Sequence, residues 1–122
     1  MRRKLGGLSV QIKKTDKAMS EYVRAKTPYC VLCGTTERLT AGHLITRTAK
    51  SVRFSLDNVF TQCASCNFLH EHRPERFTDW YIKKFGVEAY GGLVEHSKQI
   101  RKWTVDELKE LEEQFKSMKE AL

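Results

Sequence analysis

Apolar positions along this chain change period several times, and each change marks an element. Ala18, Met19, Tyr22 and Val23 share one side of a 3.6-residue turn, which predicts a short helix from Asp16 to Lys26. Thr15 or Asp16 would cap it, and Pro28 would end it, because the residue before a proline avoids the helical region. Ahead of it, residues 1–14 read as a mobile basic arm, since Gly6-Gly7 opposes a continuous helix. From Leu39 to Thr46 the pattern alternates, with Leu39, Ala41, His43 and Ile45 on one side and Thr40, Gly42, Leu44 and Thr46 on the other. That is the period of a strand, in which Gly42 marks a bulge or a close backbone approach. Residues 47–56 show no period and read as a loop. Val59 to Gln62 reads as a second short strand, and Cys63 and Cys66 fall at the start of a helix.

The second half of the chain is helical in pattern. Glu71 to Pro74 interrupts the helix, and Pro74 suits the first turn of a new one. Phe77, Trp80, Tyr81 and Phe85 form its apolar face, with Gly86 placed to end it. Gly91-Gly92 should break the segment that follows. Thr104-Val105-Asp106-Glu107 is a capping box, and Val105, Leu108, Leu111, Phe115, Met118 and Leu122 continue from it as an apolar stripe. Such a stripe is ordinary core or a face for a partner helix.

Composition narrows the class. The chain has 122 residues, room for one modest core, with 30% charged and 40% hydrophobic residues, a soluble globular balance. No apolar run approaches the ~20 residues of a membrane span, and the N-terminus has no apolar core of a signal peptide, so neither is expected. The net charge of +7 is uneven. Residues 1–28 carry eight Lys/Arg against two Asp/Glu, residues 29–80 six against five, and residues 81–122 eight against eight. A positive field gathered at the N-terminus favours polyanionic partners. Two segments result: a basic arm with a short helix over 1–28, and a metal-bound domain over 29–122.

The cysteines define that domain. All four lie in two Cys-x-x-Cys pairs, Cys30/Cys33 and Cys63/Cys66, which is the spacing of a tetrahedral zinc site. Gly34 gives the first pair the backbone freedom of a tight knuckle. A four-cysteine site has no open coordination position, so its Zn2+ would be structural. Knuckle, hairpin and cysteine-bearing helix, in that order, form the treble-clef arrangement, known in nucleases as the ββα-metal unit.

His43 lies on the strand between the two half-sites, and Asn67 follows Cys66 directly. A neutral imidazole, with an ordinary pKa of about 6.5, can activate water near neutral pH. The Asn67 amide oxygen suits a hard divalent ion, and Asn58 would orient the strand that carries His43. Arg47, Lys50 and Arg53 flank this site. With Arg2, Arg3, Lys4, Lys13 and Lys14 they would track a DNA backbone without reading its sequence.

Cys30-x-x-Cys33, Ala41-Gly42-His43-Leu44-Ile45-Thr46-Arg47, Arg53-Phe54, Asp57-Asn58-Val59 and Gln62-Cys63-x-x-Cys66-Asn67 together resemble the HNH endonuclease pattern. More narrowly they resemble the NinG/Rap family of lambdoid phage recombination proteins, from about residue 29 onward. The resemblance implies an α+β fold with a zinc-stapled, HNH-like ββα-metal core and flanking helices. It implies a metal-dependent endonuclease acting in phage DNA recombination on branched, Holliday-type DNA, in the cytoplasm of a bacterial host. In it His43 would be the general base, Asn58 the motif's structural Asn, and Asn67 a ligand of a catalytic Mg2+ or Mn2+. The sequence departs from the pattern at Gly42, where many HNH enzymes carry a metal-binding Asp or His. Asp57, His70 and His72 are the candidate replacements, and His70 lies one helical turn beyond Asn67. That departure keeps open a second reading, a non-catalytic zinc-stapled protein that binds DNA or junctions. Symmetric cutting of a four-way junction would take two active sites, hence a homodimer.

Overall fold

A computed structural model describes residues 6–122. Among these the chain runs as helix α1 (Gly6–Lys26), strand β1 (Leu39–His43), a 3-10 turn (Lys50–Val52), strand β2 (Val59–Cys63), then helices α2 (Ala64–Leu69), α3 (Pro74–Phe85), α4 (Val87–Ser97) and α5 (Val105–Glu120). The fold is thus a small mixed α+β domain with a two-stranded sheet. No helix among the described residues is long and apolar enough to cross a membrane. Arg2, Arg3 and Lys4, expected at DNA phosphates, lie outside the described residues.

α1 corrects the expected mobile arm. The helix begins at Gly6, not near Asp16, and residues from Gly6 onward are not an arm. The two glycines sit in its first turn, where backbone N–H groups lack helical partners anyway. The helix is held along its length by α5, which only the folded chain brings near. Gln11 Nε2 donates to Glu112 Oε1 at 2.8 Å, and the buried Thr15 hydroxyl lies 2.9 Å from the Leu108 carbonyl. Thr15 and Asp16 are therefore helix-interior residues and cap nothing. Ala18, Met19, Tyr22 and Val23 pack with Leu108 and Phe115 of α5 and with Phe54 and Val59. Lys13 and Lys14 stay exposed.

β1 and β2 pair antiparallel, with His43 opposite Val59, Gly42 opposite Phe60 and Leu39 opposite Cys63. The strand stops at His43, before Thr46, because Asn58 takes over the pairing. Its carbonyl accepts from Leu44 N at 2.9 Å and its side-chain Oδ1 from Ile45 N at 2.8 Å. Residues 47–56, read as a loop, contain the short turn and bury Ser51, Val52 and Phe54.

A second core joins Leu44 and Val52 to Phe77, Tyr81 and Leu93 of α3 and α4. Pro74 opens α3, and Gly86, at φ 97°, closes it. α4 then runs through Gly91-Gly92, against expectation. Each glycine costs a helix about 1 kcal/mol, and burial of Leu93 under Val52, Phe77 and Tyr81 offsets that. α5 carries the expected capping box: Glu107 N donates to Thr104 Oγ1, and Thr104 N to Glu107 Oε1.

Candidate functional site

Two features are built around the hairpin, a cluster of thiols and a cleft. The ligand atoms of Cys30, Cys33, Cys63 and Cys66 all lie within 4.8 Å of one another, and Cys33 Sγ is 3.7 Å from Cys63 Sγ. A tetrahedral ion with Zn–S bonds of about 2.3 Å spaces its sulfurs about 3.8 Å apart, so the cluster can hold a structural zinc ion. Local geometry produces this. Gly34, at φ 81°, donates its N–H to the Cys30 carbonyl and turns the first pair; Cys63 caps α2, its Sγ accepting from Cys66 N. Arg76 Nη1 donates to Cys66 Sγ at 3.7 Å, which suits a thiolate. As a free thiol, Cys66 is pushed up to about 12 by burial, reinforced by hydrogen bonds to Cys63 and Cys30. Zinc would have to displace that proton.

The cleft has a volume of about 590 Å3. α1 contributes Asp16, Met19 and Ser20, β1 contributes Thr40, Ala41 and His43, and α2 with its C-terminal end contributes Asn67, Phe68, His70 and Glu71. Zinc would fix this arrangement, since it ties the end of β2 and the start of α2 to the knuckle before β1.

His43 is held in one tautomer. Its Nε2 lies 2.9 Å from the Arg53 carbonyl, which can only accept, so Nε2 carries the hydrogen. In the neutral ring Nδ1 then keeps its lone pair, free to take a proton. Burial holds the pKa of His43 below its ordinary 6.5, helped by the positive charge of Arg47; the Arg53 carbonyl and Asp16 pull the other way. Above that lowered pKa the ring is a ready base.

Arg53, expected to reach phosphate, is engaged within the chain. Asp16 grips its guanidinium at both oxygens, 3.1 Å from Nε and 2.6 Å from Nη2. The side chain is a brace that holds the Arg53 carbonyl against His43. Arg47 is different: it is 60% exposed and comes no nearer to Asp16 than 3.9 Å, a long, loose pair that a phosphate at the cleft can replace. Lys50 is exposed but does not line the cleft, and its carbonyl accepts from Trp103 Nε1.

Asn58 is fully buried. Besides bonding Ile45 N, it donates through Nδ2 to the carbonyls of Ile45 and Val52 at 2.9 and 3.2 Å. It sutures the end of β1 to the turn that leads to Arg53. Asn67 donates through Nδ2 to Thr40 Oγ1 at 3.2 Å, and its Oδ1 has no hydrogen-bond partner among the described residues.

Gly42 is explained by what stands beside it. A Cβ there would lie 2.9 Å from Gln62 Cδ, 3.0 Å from Gln62 Oε1 and 3.1 Å from Asn67 Oδ1. Gln62 is fully buried, with both carboxamide atoms unpartnered, and cannot swing into solvent. The space of an acidic side chain is thus already taken. Gly42→Ala is expected to destabilise the protein by about 1–3 kcal/mol, the usual effect of overpacking. A urea unfolding midpoint measures it, and an unchanged midpoint would mean that Gln62 yields freely.

The candidate replacements for the missing acid do not assemble a hard-metal site. His70 points Nε2 at the Leu44 carbonyl, 2.9 Å away, and its Nδ1 is buried without a partner, so neither nitrogen opens on the cleft. Asp57 and His72 are exposed and do not line it. Asp16 is engaged by arginine. Among the described residues the four cysteines are the only group of three or more His, Cys, Asp or Glu placed to share an ion. These residues therefore assemble no ready-made Mg2+ or Mn2+ cage, and Asn67 Oδ1 and the Glu71 carboxylate are the hard donors left to the cleft.

Asp16, Gln62 and Phe68 were not legible as site residues. Asp16 reaches an arginine 37 positions away. Gln62 was visible as a strand residue and as the first residue of the Gln62-Cys63-x-x-Cys66-Asn67 pattern, without a role of its own. Phe68 had one available signal, a large apolar side chain directly after Asn67.

Neither a curated protein nor a solved structure matches the chain. The family model described as bacteriophage lambda NinG protein matches residues 2–122, and the chain belongs to the NinG family.

Proposed function

We propose that this protein is a DNA endonuclease of HNH type, acting in phage recombination on branched DNA in the bacterial cytoplasm. The hairpin of β1 and β2, followed by α2 and clamped at the cysteines, is read as a treble-clef ββα-metal unit. The observation that carries the proposal is His43, a residue of the cleft wall whose Nε2 is pinned to the Arg53 carbonyl, so that Nδ1 keeps the lone pair.

In this reading Nδ1 takes a proton from water as the water oxygen attacks phosphorus and the bond to the leaving oxygen breaks. Arg47 contacts a non-bridging phosphate oxygen, and Lys13 and Lys14 of α1 hold the flanking backbone by charge. Asp16, through Arg53, keeps the imidazole in place. Asn67 and Glu71 would be the groups of this chain that offer oxygen to the divalent ion implied by the HNH resemblance, and that ion would neutralise charge on the phosphate. A homodimer would present two such clefts to a four-way junction.

A second reading, favoured by the glycine at position 42, is a zinc-stapled protein that binds DNA or junctions without cutting. Plasmid and four-way junction DNA incubated with Mg2+, with Mn2+ and without added ion separate the two. Nicking or junction cleavage in an ion-containing arm is expected. Binding without cleavage in every arm would establish the second reading in its place.

A further inference from the structure

Phe68 has no structural reason to be where it is. It is 64% exposed and belongs to none of the apolar clusters, whereas Phe60 and Phe77 nearby are packed among other aromatics. The one ring beside it, that of His72 at 5.2 Å, is itself on an exposed residue. Phe68 lines the same cleft as His43. It follows Asn67, whose side chain is bonded to Thr40 on β1, so the residue is anchored to the strand that carries His43. Basic groups stand within reach of a backbone here: Arg47 is on the cleft, and Arg73 is exposed just beyond α2 beside the exposed acids Glu71 and Glu75, while Arg76 is bonded to Cys66 Sγ. Of the acidic groups lining the cleft, Asp16 is neutralised by arginine, which leaves Glu71.

We infer that Phe68 is a stacking platform for an unpaired nucleobase next to the phosphate presented to His43. The inference rests on the endonuclease reading and deepens it by naming the feature of DNA that is selected. An aromatic face stacks on any base, so it adds affinity without sequence preference. Bases inside a duplex are already stacked on their neighbours and cannot reach it. Only a base freed at a gap, a single strand or a branch point can, while Arg47 and the basic α1 hold the backbone on either side. Phe68 would thus discriminate by local structure of the DNA, which phosphate contacts alone cannot do.

The test uses the full chain with His43→Ala to prevent cleavage, and three DNAs of one length: a paired duplex, a duplex with 2-aminopurine unpaired in a gap, and a single strand. Anisotropy gives the affinities. Adding Phe68→Ala is expected to weaken the gapped and single-stranded complexes about tenfold, within the usual range for loss of one stacked base, and to leave duplex binding unchanged. Phe68→Trp should restore the affinity. 2-Aminopurine emission should be quenched on binding when residue 68 is aromatic and not when it is Ala. Since Phe68 is exposed, zinc content and circular dichroism should match across the variants. No loss, or an equal loss on all three DNAs, would overturn the inference and leave the endonuclease reading intact. Failure of the parent protein to bind any of the DNAs would overturn that reading, and this inference with it.

Discussion

Cys33→Ser is expected to be as damaging as Cys66→Ser, although Cys33 is exposed and Cys66 is buried. Serine differs from cysteine by one atom, and at an exposed position such a change costs within about 0.5 kcal/mol if packing alone is at stake. The metal makes the difference. The third apolar cluster consists of three cysteines with Leu32 and Leu39 at its edge, too little to hold the knuckle against the sheet. A structural zinc in a small module supplies about 10–16 kcal/mol of apparent binding energy, comparable with the ~5–15 kcal/mol by which whole domains are stable. Loss of one ligand should therefore release the ion and, with it, the cooperative folding of the hairpin and α2. Metal analysis should find one zinc per chain in the wild type and less in either variant. Thermal unfolding should fall by more than about 10 °C in both, given roughly 4 °C per kcal/mol for a domain of this size. A mild Cys33→Ser beside a severe Cys66→Ser would mean that burial, not zinc, is what these residues supply.

His43→Ala carries the second large effect. Removal of a general base costs about 10²–10⁴ in rate. DNA binding should hardly change, because the phosphate contacts are assigned to Arg47 and α1. Stability should fall only by about 1 kcal/mol, the worth of the hydrogen bond to the Arg53 carbonyl. The pH profile follows from the direction of the His43 shift. Its pKa lies below 6.5, so the basic form dominates at neutral pH, and the rate should be flat there. It should drop as pH falls through the lowered pKa. The same shift acts on folding: the unfolded chain takes the proton first, so this contribution to stability is complete above about pH 6.5 and is lost on acidification toward the folded value.

What could be read from the sequence was local. The cysteine pairs, the capping box at Thr104, the ends of α3 and the starts of both strands depend on residues a few positions apart, and all appear where the pattern puts them, although β1 stops at His43 and not at Thr46. The length of α1 was hidden, because the groups that hold its first half are on α5, 93 and 101 positions away. Arg53 misled for the same reason. A basic residue beside a phosphate-handling motif reads as a DNA contact until its carboxylate partner arrives from a distant helix. Gly42 was visible as an anomaly, but its cause was not, since the side chain that fills its space comes from the opposite strand.

Whether His43 is the base is decided by one paired measurement. Wild type and His43→Ala are incubated side by side with four-way junction DNA in Mg2+ or Mn2+; cleavage is read on a denaturing gel and binding by anisotropy on the same samples. Cleavage by the wild type, lost in the variant with binding retained, is the predicted result. Equal cleavage by both proteins, or loss of binding together with cleavage, would contradict the assignment of His43 as the base.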